Sequence, residues 1–89
     1  MYAAASYGHS DTVKVLASLH ANVNQADNYG VTPMWRAAYN GHSDTVKVLA
    51  SLHADVNQAD NTGDTPTYQA AYKGHSDTVK VLALSLIHI

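Results

Sequence analysis

Hydrophobic and polar residues recur along this chain in a block that is written three times. Residues 41–63 read GHSDTVKVLASLHADVNQADNTG, and residues 8–30 match them at 21 of 23 positions. Residues 74–83 repeat the first ten letters, so the offset is 33 residues each time. A fixed period of this length predicts a stacked array, in which each unit buries its apolar face against its neighbours.

The middle block predicts a short helix between two turns. Residues 27–30 (Asp-Asn-Tyr-Gly) are typical of a turn. The Thr-Pro pair at residues 32–33 is typical of a helix start, because threonine caps the helix and proline has no N–H to leave unpaired. The Asn-Gly pair at residues 40–41 is typical of a helix end. A first helix is therefore predicted over residues 33–39.

A second, amphipathic helix is predicted over residues 44–52, with Ser43 as its cap. Val46 and Leu49 fall on one apolar stripe with the helical period, and Ala50 extends that stripe. The polar residues expected to face water are Asp44, Lys47 and Ser51. Each unit is therefore a turn, a short helix, a turn, a longer helix and an extended return.

These motifs resemble the ankyrin repeat family. Residues 32–42 carry its T-P-x-x-x-A-A-x-x-G-H motif, residues 46–49 its V-K-V-L helix, and residues 54–57 its A-D-V-N segment. Residues 65–75 repeat the first motif. Over residues 1–83 the resemblance implies an all-α repeat (solenoid) fold, an ankyrin-type stack of helix-turn-helix pairs with short connecting turns.

The resemblance divides the chain into three repeats and a tail. Residues 1–28 are interpreted as an N-terminally truncated repeat, 29–61 as a complete repeat and 62–83 as a C-terminally truncated repeat. Residues 84–89 read LSLIHI where the repeat predicts SLHADV. Their back-translation, CTG TCT CTT ATA CAC ATC, resembles a transposase adaptor used in sequencing libraries. We interpret them as an artefactual, non-repeat tail; the alternative is a divergent last helix.

Two departures from the family pattern recur in register. The family usually has Leu-His after Thr-Pro, where this chain has Met34-Trp35 and Thr67-Tyr68. These aromatic residues cannot copy every hydrogen bond of that histidine, and we expect Trp35 to be partly buried at the base of the turn. The family often has glycine after the second helix, where this chain has His20 and His53. We expect both to adopt positive φ, at a cost of about 1 kcal/mol each.

Composition narrows the functional classes. The chain has 89 residues, no cysteine and a formal net charge of −2, which argues against a disulfide framework, a thiolate metal site and binding to nucleic acid or membrane. It has no apolar run near the roughly 20 residues of a membrane span and no signal-peptide pattern, so a cytoplasmic location is expected. Without polar caps, the array is predicted to be marginally stable and to self-associate through its ends.

Six histidines raise a metal hypothesis that the repeat argues against. His9, His42 and His75 hold one repeat position, and stacked helices lie about 8–10 Å apart, whereas zinc needs its nitrogens at about 2.0–2.1 Å. Bonds to the backbone of neighbouring loops are the favoured interpretation. A serine follows each of these histidines, but adjacency in sequence is not the geometry of nucleophile, base and orienting group that catalysis requires. No HExxH or phosphate loop is present. We therefore predict no enzyme activity, no cofactor and no metal.

The positions that differ between copies predict the function. The second helices are nearly invariant, as a buried scaffold should be, while substitutions collect at the turn tips and on the first helices. The ankyrin resemblance implies that these positions line a concave groove that meets a partner protein. The predicted partner-binding residues are Tyr29, Val31, Arg36, Tyr39, Asn40, Thr62, Asp64, Gln69, Tyr72 and Lys73.

Two alternatives stay open. The array could be an architectural spacer within a larger enzyme or receptor, with no partner of its own. The varying positions could also be ordinary solvated sites that are free to drift, and the recurrence of Tyr39 and Tyr72 in register fits a packing role as well as a binding role.

Overall fold

The computed structural model describes residues 1–87 and places six helices in three consecutive pairs. The first helix of each pair packs against the first helix of the next pair, and the second helices do the same. No strand occurs among the described residues. The helices are α1 Tyr2–Ser6, α2 Ser10–Ser18, α3 Pro33–Tyr39, α4 Ser43–Ser51, α5 Pro66–Tyr72 and α6 Ser76–Ile87. The all-α repeat stack predicted from the sequence is confirmed.

Helices α3 and α5 begin at the threonine caps that the sequence predicts. Thr32 has extended backbone, and its Oγ1 accepts a hydrogen bond from the Trp35 backbone N–H at 3.1 Å. Thr65 accepts the equivalent bond from Tyr68 at 3.1 Å. Each cap satisfies one N–H that the first helical turn would leave unpaired.

The turn after α3 requires a glycine for two independent reasons. Gly41 has φ +72°, a left-handed conformation that side chains disfavour. A Cβ at Gly41 would also lie 2.7 Å from Nδ1 of His75, whose ring packs against this turn. The Gly41 N–H bonds to the Ala38 carbonyl, and the His42 N–H bonds to the Ala37 carbonyl. These paired bonds close the helix end and lead directly into α4.

The histidines after α2 and α4 adopt the backbone conformation that we expected. His20 has φ 68° and His53 has φ 66°. The same pair of closing bonds ends α4, from His53 to the Ala50 carbonyl and from Ala54 to the Leu49 carbonyl, each at 3.0 Å. The left-handed residue is therefore needed to complete the helix end, although it is not glycine.

The start of α4 differs from the prediction. The helix begins at Ser43, one residue early, and His42 stands at the cap position without a side-chain capping bond. Ser43 is therefore not the cap. Its hydroxyl instead forms a 2.8 Å hydrogen bond with the Thr78 hydroxyl of the next repeat. Ser10 makes the same bond to Thr45, so this serine joins neighbouring repeats at both junctions.

The core runs along the stack between the two layers of helices. Val46 and Leu49 are fully buried, while Asp44, Lys47 and Ser51 are exposed, as the amphipathic pattern predicts. Alanines on the first helices, among them Ala37, are buried and allow close helix packing. Burial of such apolar side chains is the main stabilising contribution in each repeat.

Helix α6 continues past the point where its counterpart α4 ends. It runs to Ile87, whereas α4 ends at Ser51, which corresponds to position 84. The extra turn replaces the left-handed histidine of the other repeats with Leu86, and Leu84 is exposed. Residues 84–87 of the predicted tail are thus helical, and residues 88–89 lie outside the described part of the chain. The artefactual origin of this segment stays a prediction.

Candidate protein-interaction surface

A carboxylate organises each turn tip. Asp27 Oδ1 accepts backbone hydrogen bonds from Tyr29 at 2.8 Å and from Val31 at 3.0 Å. The bond from Val31 is the largest influence on this carboxyl; together with the bond from Tyr29 it lowers the pKa of Asp27 below its usual value, although partial desolvation opposes the shift. The ionised carboxylate therefore holds the tip in one conformation.

The second turn tip repeats this arrangement at Asp60. Burial acts to raise the pKa of Asp60, but hydrogen bonds from the Thr62 hydroxyl and from the Asp64 and Thr62 backbone N–H groups outweigh burial and lower it. The backbone bonds are 2.9 Å from Thr62 and 3.0 Å from Asp64. The two tips therefore have matching frameworks.

The two tips also bond directly to each other. The Asn61 backbone N–H donates to the Tyr29 carbonyl at 2.9 Å, and its side-chain amide donates to the Asn28 carbonyl at 3.0 Å. These bonds hold successive tips side by side, so Tyr29 and Thr62 project from one continuous edge. Both are exposed, Tyr29 by 75 %.

Trp35 joins the first helix to the next turn. Its indole Nε1 donates to Asp60 Oδ2 at 3.1 Å, and only 8 % of the residue is exposed. Its ring stacks on Tyr39, with centroids 5.1 Å apart and planes 10° from parallel. Trp35 lies at the base of the turn as expected, but it is buried rather than partly buried.

Arg36 lies among three aromatic rings. Its Cζ is 5.1 Å from the centroid of Tyr2, 5.2 Å from that of Trp35 and 6.0 Å from that of Tyr39. One terminal nitrogen donates to the Tyr2 hydroxyl, whereas the buried Nε has no hydrogen-bond partner among the described residues. Cation–π contacts thus hold the guanidinium against the helix face.

Lys73 continues this pattern into the third repeat. Its Nζ lies 5.0 Å from the centroid of Tyr39, while Tyr68 and Tyr72 stack with centroids 6.2 Å apart and planes 12° from parallel. Cations and aromatic rings therefore follow one another along the layer of first helices. We call this surface the first-helix face, and it comprises Tyr2, Trp35, Arg36, Tyr39, Tyr68, Tyr72 and Lys73.

The ten predicted partner-binding residues differ in exposure. Five are exposed: Tyr29, Asn40, Thr62, Tyr72 and Lys73. Three are half-buried: Arg36, Tyr39 and Asp64. Val31 and Gln69 are buried, with 6 % and 8 % exposed. Gln69 Nε2 donates to Asp64 Oδ2 at 3.4 Å, so this side chain supports the turn and presents little surface of its own.

Three residues of the first-helix face were missing from the predicted partner-binding set: Tyr2, Trp35 and Tyr68. Tyr2 contacts Arg36, and Tyr68 is 53 % exposed beside Tyr72. Both stand in register with Trp35, one period before and one period after it. This alignment of aromatic residues was the signal that could have grouped them with Trp35 on the first helices.

Two of the three repeated histidines bond to backbone of the preceding repeat, at helix ends rather than at the loops that the sequence predicts. His42 Nε2 lies 3.1 Å from the Ser6 carbonyl, and His75 Nε2 lies 3.0 Å from the Tyr39 carbonyl. Within residues 1–87 no three histidine, aspartate or glutamate side chains group in a way that could hold a metal ion. Each of these two rings therefore ties its repeat to the last residue of the first helix in the preceding repeat.

A separate cavity lies on the opposite layer, between α4 and α6. It is an open groove of about 390 Å³ whose lining includes Lys47, His53, Val81 and Leu84. It is separate from the first-helix face and the turn tips. In the described part of the chain, no helix combines the length and apolar character that crossing a membrane requires.

Three stacked helix pairs with repeated turns define a helical repeat protein. The family model for ankyrin repeats matches the chain over residues 1–89, with three copies. The chain therefore belongs to the ankyrin repeat family. Ankyrin repeats are generally protein–protein interaction modules and are typically non-catalytic. Among curated proteins, the comparison finds no match.

Proposed function

We propose that this chain is a non-catalytic interaction module that binds a partner protein through the first-helix face and the turn tips. The observation that carries the proposal is the alternation of cations and aromatic rings along α3 and α5. Tyrosine and arginine are enriched in interface hot spots, because they combine apolar area with directed polar groups.

The exposure of the varying positions supports this surface. Tyr29 and Tyr72 expose 75 % and 74 % of their area, at positions where the repeats differ. The second-helix positions Val46 and Leu49 are buried, and the repeat barely changes there. Burying these large, solvent-exposed rings against a partner would remove the most apolar surface from water.

The packing of the first-helix face limits the entropy that binding would cost. The Trp35 and Tyr39 rings are already stacked, and the Arg36 guanidinium already lies against them. Ordering a free, long side chain at an interface costs about 0.5–1.5 kcal/mol. A partner would meet a surface that is largely in its bound arrangement.

Binding measurements on a double variant of the first-helix face test this proposal. Protein fragments selected from a library for binding to the immobilised wild-type chain would be measured against Arg36→Ala/Tyr39→Ala. The matched control, Lys14→Ala/Asp44→Ala, removes two exposed charges from second helices. We expect the first variant to weaken binding about 10- to 100-fold, the range for loss of hot-spot residues, and the control to leave it unchanged.

Circular dichroism verifies that each variant keeps the helicity of the wild type, since Arg36 is half-buried. Equal binding of the selected fragments to the wild type and to Arg36→Ala/Tyr39→Ala would contradict the proposal. If the wild-type chain retains no fragment specifically, the architectural-spacer alternative is favoured instead.

A further inference from the structure

The layer of first helices carries basic residues and no acidic ones. Helices α1, α3 and α5 read YAAAS, PMWRAAY and PTYQAAY, and Lys73 follows α5 directly. The seven acidic residues lie in or beside the turns, on the return segments and on the second helices. The three other lysines stand on second helices, each three residues after an aspartate that can balance its charge. The first-helix face therefore carries positive charge on a chain whose formal net charge is −2.

Arg36 lies at the middle of this face. Helix α3, which carries it, packs against α1 on one side and against α5 on the other. The surroundings of Arg36 are therefore those of an internal repeat, and its half-buried state does not depend on either end of the chain.

Aromatic rings, rather than a carboxylate, surround the Arg36 guanidinium. Its Cζ lies 5.1–6.0 Å from the centroids of three rings, and one terminal nitrogen donates to the neutral Tyr2 hydroxyl. Within residues 1–87 the buried Nε has no hydrogen-bond partner. A guanidinium offers five N–H donors in a planar fork whose geometry matches a carboxylate. The rings thus position the group while its charge and several of its donors stay available.

The aspartates nearest this face are already used by their own turns. Asp27 Oδ1 accepts hydrogen bonds from Tyr29 and Val31. The bond from Val31 is the largest influence that lowers the pKa of Asp27, and the charge of Arg36 is the smallest. Asp60 accepts the equivalent backbone bonds within the second turn. Neither carboxylate is therefore a close partner for Arg36.

A second cation lies over the same tyrosine ring. Lys73 Nζ is 5.0 Å from the Tyr39 centroid, and Arg36 Cζ is 6.0 Å from it. Alternate residues of an extended segment point to the same side and lie roughly 6.5 Å apart. Two acidic side chains separated by one residue therefore have a spacing that suits this pair of cations.

We propose that the partner segment bound by the first-helix face is acidic and extended, with one carboxylate on Arg36 and a second on Lys73. This inference rests on the proposed function, because it names the chemistry of the partner at the same surface. Charge-assisted hydrogen bonds to both cations would add to the burial of the rings between them. A neutral segment would cover the two cations without balancing their charge, which costs free energy.

An NMR titration of the chain with two five-residue peptides, blocked at both ends, tests this chemistry. The peptide SEVES carries two glutamates at alternate positions, and SQVQS replaces both with glutamine of nearly the same shape. We expect SEVES to shift the Trp35 indole and the amides around Arg36 and Lys73. It should bind about tenfold more tightly than SQVQS, the difference that two exposed charge pairs supply.

Two double variants that remove equal charge locate the binding site. Arg36→Gln/Lys73→Gln should weaken the binding of SEVES about tenfold. Lys14→Gln/Lys47→Gln removes two exposed cations from second helices and should leave the binding within about twofold of the wild type. Lys73→Gln alone changes an exposed residue, so it tests the site even if the chain needs Arg36 to fold, and it should weaken SEVES about threefold.

Equal affinity for SEVES and SQVQS would overturn the proposal, and so would an equal loss of SEVES binding in the two double variants. A single-stranded DNA pentamer that shifts the same amides as strongly as SEVES would also contradict it, because the face would then bind anions in general. Library fragments that bind through the first-helix face without acidic residues would overturn this proposal alone. A wild-type chain that retains no library fragment would instead contradict the proposed function itself.

Discussion

At the scale of single residues, several side chains hold positions that the family gives to other residue types. His53 occupies a left-handed position with φ 66°, and Trp35 donates a hydrogen bond to Asp60 in the turn of the next repeat. Both substitutions are tolerated because the surrounding bonds still form. The two residues differ in energy: the Trp35 indole gains a hydrogen bond, whereas His53 has a strained, left-handed backbone.

The strain at His53 predicts a stabilising substitution. A residue with a Cβ pays roughly 1–2 kcal/mol for the left-handed conformation, and His53→Gly removes this strain. Glycine also raises the entropy of the unfolded chain, which offsets part of the gain. We expect the free energy of unfolding to rise by about 0.5–1 kcal/mol in urea titrations. Ala50→Gly, inside α4, should instead lower it by about 1 kcal/mol. A destabilised His53→Gly would show that its imidazole makes a contribution that exceeds the strain.

At the scale of elements, the second helices show how one sequence serves three environments. The segment SDTVKVLA begins α2, α4 and α6, yet its threonine is exposed in α2 and buried in the other two. Burial of Thr78 is compatible with folding because its hydroxyl pairs with Ser43. The serine that looks like a helix cap therefore contributes between elements.

Replacing Thr78 with valine tests that contribution. Thr78→Val keeps the shape of the side chain but leaves the Ser43 hydroxyl without its partner, which should cost about 1 kcal/mol of unfolding free energy. Thr12→Val makes the same change at an exposed position and should stay within about 0.5 kcal/mol of the wild type. Equal effects of the two substitutions on the unfolding free energy, measured by urea titration of dilute protein, would rule out a stabilising hydroxyl pair.

The turn elements carry the acid sensitivity of the molecule. The pKa values of Asp27 and Asp60 are lowered in the folded chain from 3.8, the ordinary value. A lowered folded-state pKa contributes stability above the unfolded value, and this contribution is lost as the pH falls through the folded value. We therefore expect urea midpoints to be steady above about pH 5 and to fall below pH 4.

Asp27→Asn isolates one turn in this acid titration. The amide oxygen can still accept from Tyr29 and Val31, but it has no charge to lose. The midpoint of the variant should lie below that of the wild type at pH 7, and the difference should shrink toward pH 2.5. A difference that is constant across this range would mean that the charge of Asp27 does not stabilise the turn.

At the scale of the whole molecule, the repeat made the fold predictable and left part of the surface unpredicted. A period of 33 residues implied the stack, and the Thr-Pro and Asn-Gly pairs located α3 without error. The cap of α4 was misassigned because a serine before an aspartate has the local pattern of a cap. Its actual partner, Thr78, is 35 residues away, and local patterns carry no information about such a contact.

For the candidate site, the sequence indicated the region but not the exposure of each residue. Variation between repeats pointed to the turn tips and first helices, where Tyr29 and Tyr72 are exposed. It did not distinguish Val31 and Gln69, which the stack buries, because exposure depends on how neighbouring repeats pack. Tyr2 was overlooked because its contact with Arg36 crosses from one repeat to the next.

The most direct test of the account is where a bound protein perturbs the chain. An NMR titration of the 89-residue chain with a selected binding fragment would follow its one tryptophan indole and the backbone amides. We predict the largest shifts at Trp35, in α3 and α5, and at the tips around Tyr29 and Thr62. Shifts confined to α2, α4 and α6, with the Trp35 indole unchanged, would contradict recognition through the first-helix face.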